Sequence, residues 1–184
     1  MITRDEALMI VREFVKNENL VKHMLAVEAA MAAYAKKFGE DEDRWRVTGL
    51  LHDFDYEIHP TVDKHPHKGS AILRERGVGE EMIRTILSHA DHTGVPREKL
   101  IDKALHACDD LTGLIVAVTL VHPNKKLSEV SVESIKKKWK DKAFARGVNR
   151  QEAEEAAKDL GVDLWDHVQT ILEAMKTVAM DLGL

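Results

Sequence analysis

Three apolar stretches of this chain are each interrupted by a histidine or an aspartate. His23 lies in Val21-Lys22-His23-Met24-Leu25-Ala26-Val27, His52-Asp53 follow Leu50-Leu51, and Asp109 lies in Leu105-His106-Ala107-Cys108-Asp109-Asp110-Leu111. All three stretches read as helices, and leaving an imidazole or a carboxylate buried without a partner costs on the order of a few kcal/mol. A His-Asp pair after two leucines would alone read as a helix end meeting solvent. Several such interruptions on core-facing helices need a common reason, and a shared metal ion supplies one. An imidazole nitrogen together with a carboxylate oxygen suits divalent Mn, Fe, Ni or Zn.

The helices follow from periodicity and caps. Thr3 with Glu6 forms a capping box that opens a first helix with Leu8, Val11, Phe14 and Val15 on one face, stopping near Asn17 to Asn19. A second helix runs from about Leu20 to Phe38, with His23 on the stripe of Val27, Met31, Tyr34 and Phe38, and Gly39 closes it. The third begins after the acidic segment Glu40 to Asp43 and carries Trp45, Val47, Leu50 and Leu51 into His52-Asp53. Asp55 to His67, with Pro60 and Pro66, reads as irregular. Helices follow at about Lys68 to Arg76, Glu80 to Ala90 and Lys99 to Val121, with a turn at Thr93-Gly94-Val95-Pro96 and a stop at His122-Pro123. Beyond these, Ser131 or Ser134 opens a helix through the basic run, Asn149 with Glu152 forms a second capping box, and Asp163 caps a final amphipathic helix. The reading is an all-α single domain of roughly eight to nine helices, with no segment of β period.

Four prolines and ten glycines in 184 residues agree with helix throughout, and the net charge of −5 gives no reason to expect a nucleic-acid polymer as partner. The single cysteine, Cys108, excludes an intramolecular disulfide and fits a reducing compartment. No N-terminal run has signal-peptide character, and no stretch reads as long enough to cross a bilayer, so the expectation is a cytoplasmic protein without a membrane partner. The amphipathic C-terminal helix offers a homodimer interface.

The order His23, His52-Asp53, Asp109, with gaps of 29 and 56 residues, resembles the HD-domain superfamily of metal-dependent phosphohydrolases, whose pattern is a His, a His-Asp pair and a distant Asp. The resemblance covers roughly residues 15 to 122. It implies an HD-like metal-binding core there, within a single domain of residues 1–184, and a C-terminal helical extension over 125–184 packed on that core. Two-metal members add histidines between the pair and the last aspartate. His65-Pro66-His67-Lys68-Gly69 resembles the family's His-Pro-x-x-Gly element and puts His65 at a ligand position, and His89 sits where a further ligand is expected. His92 is the weaker choice. The doubled His and the Gly-Tyr-Pro signature of the cyclic-dinucleotide group are absent, which argues against that substrate.

The implied ligand set is therefore His23, His52, Asp53, His65, His89 and Asp109 around one or two divalent ions, with Mn, Fe, Ni, Zn and Mg not distinguished. Asp53 binds terminally or bridges. Asp55 and Glu57 follow closely enough to act as a general base or to orient a ligand, although both also read as solvated loop residues. Asp110 points about 100° from Asp109 on a helix and reads as a hydrogen-bonding or capping residue. His59, His106, His122 and His167 match no motif and read as surface or structural. The cations from Lys136 to Lys142, with Lys68 and Arg97, are candidate phosphate contacts, against the plainer reading of a solvated helix face. The expected activity is hydrolysis of a small phosphate ester or nucleotide by a metal-activated water. The alternatives are a di-iron oxidative enzyme on the same scaffold and a non-catalytic nucleotide-sensing module.

Overall fold

The structure is a computed structural model that describes residues 2–184. Among the described residues there are ten α-helices and no strand: α1 (Arg4–Phe14), α2 (Glu18–Phe38), α3 (Glu42–Leu51), α4 (His67–Glu75), α5 (Glu80–Ser88), α6 (Leu100–Val121), α7 (Val132–Trp139), α8 (Arg150–Asp159), α9 (Leu164–Thr177) and α10 (Ala179–Leu182). The all-α single domain is as the sequence reads, with more helices than the eight to nine expected. The additional one arises at the C-terminus. At Val178 the backbone turns to φ −118°, ψ 18°, its N–H bonds back to Met175, and the expected final helix breaks into α9 and α10.

Caps set most boundaries. Thr3 and Glu6 form the reciprocal box at α1, Asn17 caps α2 just upstream of the expected start, and Gly39 closes α2 at φ +72°, a conformation that favours glycine. At α8 the Asn149 carboxamide accepts the N–H groups of Gln151 and Glu152, and the return bond from the Asn149 N–H to the Glu152 carboxylate is absent. The Glu152 side chain is thereby left free.

Two apolar clusters flank α2. One gathers Ala7, Ile10 and Val11 of α1 with Val21, Met24, Leu50, Leu51, Leu73 and Ile83. The other joins Val27, Met31 and Tyr34 to Leu105, Leu111 and Ile115 of α6 and to Val168, Ile171, Leu172 and Met175 of α9, so it runs through the N-terminal and C-terminal helices alike. Close approach of α3 to α2 depends on Gly49, where a Cβ would lie 3.0 Å from both Met31 Cγ and the Val27 carbonyl oxygen.

The central helix α6 is 22 residues long and apolar enough by composition to be a candidate membrane span, where the sequence reading found none, and more than half of that stretch is buried inside the bundle. Its position is fixed at two points. The fully buried Asp102 accepts from Arg84 Nη1 (2.6 Å), Thr85 Oγ1 (2.7 Å) and the N–H groups of Glu98 and Lys99, which joins α5 to the start of α6. His167 of α9 donates from Nε2 to the Ala107 carbonyl at 2.9 Å and accepts the Tyr34 hydroxyl of α2 at Nδ1. Asp109 therefore lies just past both tethers, two residues beyond Ala107 and about two turns beyond Asp102.

Candidate metal centre

The six residues the sequence singles out as ligands come from five separate elements and meet at one place. His23 projects from the second turn of α2, His52 and Asp53 follow the last residue of α3, His65 lies in the loop before α4, His89 caps the C-terminus of α5, and Asp109 lies mid-way along α6. They form two groups, His23 with His52 and Asp109, and Asp53 with His65 and His89. Within each group, one ligand atom per residue lies within 4.8 Å of the others.

Asp53 joins the groups. Its Oδ1 lies 3.2 Å from His65 Nε2 and 3.4 Å from His89 Nε2, while its Oδ2 faces His52 Nε2 at 3.7 Å and His23 Nε2 at 3.8 Å. Asp109 Oδ1 completes the first group at 3.0 Å from His23 Nε2 and 3.5 Å from His52 Nε2.

Every one of the four imidazoles is held by its other nitrogen. His52 Nδ1 bonds the Gly49 carbonyl at 2.8 Å, His89 Nδ1 the Ile86 carbonyl, His65 Nδ1 the Asp55 carboxylate at 2.8 Å, and His23 Nδ1 the Thr112 hydroxyl at 3.3 Å. Three of these partners are acceptors that select the Nδ1–H tautomer and leave Nε2 with a lone pair aimed at the cluster. The two backbone carbonyls belong to helix ends, where the last carbonyls lack intrahelical partners. The rings then pack edge to face, with centroids 5.2 Å apart for His23 and His52 and 5.3 Å for His52 with His89 and His65 with His89.

This arrangement fits a cation. His52 is fully buried, and its Nε2 has no hydrogen-bond partner, a costly condition unless something else fills its lone pair. Burial pushes the Asp53 and Asp109 carboxyls up, but the surrounding imidazoles outweigh it and hold both well below the usual carboxylate range. Burial pushes His65 down, and hydrogen bonds to Asp53 and Asp55 outweigh that, raising it to about 9; His52 and His89 are raised in the same way by Asp53 and Asp109. Ionised carboxylates beside imidazoles that attract positive charge form a donor set for divalent ions.

Asp55 is buried with its carboxylate shared between His65 Nδ1 and the Gly69 N–H at 2.8 Å, so it orients a ligand candidate from behind. Glu57 lies outside both groups. Its carboxylate accepts the N–H groups of Lys16 and Asn17, both at 2.9 Å, and pins the α1–α2 connection. The basic run is also elsewhere: Lys136 pairs with Glu133 and lies 5.3 Å from the Trp165 ring, and Lys138 stacks over Phe144. Arg97 is spent on the Ser88 and His89 carbonyls and on Asp91.

The cluster opens into a cleft of about 270 Å³ lined by Asp53, His65, His89 and Asp109 together with Tyr56, Ala90, Asp91, His106, Asp110 and Glu152. Sequence reasoning missed the last group. Asp110 forms no side-chain hydrogen bond or ion pair among the described residues, contrary to the capping role expected of it, and faces the cleft instead. Desolvation at the cleft wall, with Asp109 and Glu152 nearby, pushes its carboxyl up to about 6. His106 donates from Nδ1 to the His89 carbonyl at 3.1 Å. A separate cleft of about 360 Å³ between α2 and α9 surrounds the Arg4–Glu28 pair and contains none of the six residues.

The chain matches the family model described as HD domain over residues 20–174. Among curated proteins it is similar to Ribonuclease Y of Oleidesulfovibrio alaskensis, 28% identical over 98 residues that make up 53% of this chain and 18% of the relative. Ribonuclease Y of Pseudothermotoga lettingae is 34% identical over 73 residues, 39% of this chain and 14% of the relative. The matched segment thus spans less than a fifth of the length of either relative. No solved structure gives a significant match. A family match over most of the chain, on the segment that contributes all six converging histidines and aspartates, makes this protein a member of the HD-domain family, typically metal-dependent phosphohydrolases.

Proposed function

We propose that the protein hydrolyses a small phosphate ester with two divalent ions, which Asp53 would help to hold on both sides of its carboxylate. The observation that carries this reading is the division of the Asp53 carboxylate, with Oδ1 toward His65 and His89 and Oδ2 toward His52 and His23. His23, His52 and Asp109 would hold one ion, and His65 and His89 the other. Divalent ions bound there supply Lewis acidity toward phosphate oxygens and lower the pKa of water toward neutrality. The chain's own residues do the rest. Asp55, Gly49, Ile86 and Thr112 keep the four imidazoles in one orientation, so the site needs no rearrangement when substrate arrives. Tyr56, whose ring lies 5.2 Å from that of His65, lines one side of the cleft.

A cleft of about 270 Å³ lies just below the usual range for small-molecule sites, which supports a compact substrate. The similarity to proteins named Ribonuclease Y supports a second reading, cleavage of an RNA phosphodiester. Asp110 and Glu152, the acidic residues of the cleft wall without a cationic partner among the described residues, weigh against a polyanion there. Protein loaded with Mn²⁺, Mg²⁺ or Zn²⁺ and assayed against phosphomonoesters, nucleotides and a short RNA separates these readings. Turnover of monoesters with a redox-inert ion supports the proposal and excludes oxidative chemistry. Cleavage of RNA alone replaces it with the second reading, and inactivity on every substrate by demonstrably loaded protein rejects both.

A further inference from the structure

The wall of the cleft differs in character from its floor. Divalent ions held by the histidines and by Asp53 and Asp109 would make the floor positive and suited to a phosphate. Above it, Asp110 on α6 and Glu152 on α8 carry negative charge, and neither carboxylate accepts a hydrogen bond or ion pair from another side chain among the described residues. Asp91, the third acidic residue of the wall, is already neutralised by Arg97. His106 adds another acceptor, because its Nδ1–H is committed to the His89 carbonyl and Nε2 is left with a lone pair. No lysine or arginine lines the cleft.

We infer that Asp110 and Glu152 select the organic half of the substrate, favouring a phosphate ester that carries hydrogen-bond donors, an amine or adjacent hydroxyls, a few bonds from its phosphate. This rests on the phosphohydrolase reading above. Both residues are exposed, so a donor-free alkyl chain would gain nothing from either carboxylate, and a second phosphate would be repelled by them. Glu152 is available for the role because it does not close the capping box at α8, and Asp110 because its position on α6 turns it away from the ligand cluster and toward the cleft.

The test is calorimetric binding of three non-hydrolysable phosphonates to the Mn²⁺-loaded protein: 3-aminopropylphosphonate, 3,4-dihydroxybutylphosphonate and butylphosphonate. At least one donor-bearing compound is expected to bind about 10- to 100-fold more tightly than butylphosphonate. In Glu152→Gln the advantage of the amine is expected to shrink about tenfold, because the carboxamide keeps an acceptor but loses the charge, while any advantage of the diol persists. Asp110→Asn reads the same effect from the other wall residue. Equal binding of all three phosphonates by the wild type overturns the inference and leaves phosphate binding at the metal centre standing. Absence of binding by all three overturns both together. Variants that weaken all three compounds equally overturn the selective role of the wall.

Discussion

A methyl group on Gly69 would lie 2.4 Å from Cγ and 2.8 Å from Cβ of Asp55, the residue whose carboxylate receives the Gly69 N–H and orients His65. Gly69 is the third residue of α4, where alanine would ordinarily gain about 1 kcal/mol of helix propensity. Here the displaced neighbour is a short, fully enclosed side chain that cannot swing aside. Gly69→Ala should therefore turn His65 away from Asp53 and weaken binding of one ion by roughly 10- to 100-fold while leaving helix content unchanged. Metal titration alongside circular dichroism checks this, and unaltered binding of two ions by the variant would show that Asp55 has room to move.

The Asp102 tether should be the most sensitive structural polar site. Asp102→Ala would leave the Arg84 guanidinium and the N–H groups of Glu98 and Lys99 without their shared acceptor, at a cost of about 2 to 4 kcal/mol. Asp102→Asn keeps an acceptor and should cost less. Chemical denaturation of the two variants gives the ranking, and equal, small losses would contradict the importance assigned to this junction of α5 and α6.

His167 makes stability fall in mild acid. Burial, with the Lys37 charge adding to it, pushes this imidazole down to about 4 from an unfolded value of 6.5, against the opposing effect of its bond to the Ala107 carbonyl. Between pH 6.5 and 4 the unfolded chain takes up the proton and the native one does not, so the contribution is complete above pH 6.5 and is lost as the pH falls toward 4. The loss across that window is roughly 3 kcal/mol. Urea midpoints from pH 7.5 to 4.5 should show a slope for the wild type that is reduced in His167→Gln, and identical slopes would exclude His167 as the source.

Much of this was legible in the chain. Prolines confined to connections and caps at Thr3 and Asp163 mark the helices, because capping is a local interaction that needs only a few neighbouring residues. His23, His52, Asp53 and Asp109 stand out because each breaks an apolar run, and a buried polar group must find a partner. His65 and His89 carry no such signal and come only from the family resemblance, since one sits in a loop and the other at a helix end. Glu152, His106, Asp91 and Tyr56 were invisible because the cleft they line is made by packing α8 against α6 and by the loops after α3 and α5. The break at Val178 likewise follows from tertiary packing of α10 on α2 and has no proline or glycine to announce it.

Charge on the cleft wall should also act on substrate choice through ionic contacts that salt weakens. Raising ionic strength from low to about 1 M shortens screening from tens of ångströms to about 3 Å and should reduce any preference for an amine-bearing ester over a neutral one. Competition assays at two salt concentrations give the ratio, and a preference independent of salt would assign it to shape.

Electron paramagnetic resonance of the Mn²⁺-saturated protein, paired with elemental analysis, reads whether Asp53 holds two ions in common. Two Mn²⁺ per chain with an exchange-coupled spectrum are expected, reverting to the signal of isolated Mn²⁺ in Asp53→Ala. One Mn²⁺ per chain at saturation, or two that give only the signal of isolated ions in the wild type, would contradict this sharing of Asp53.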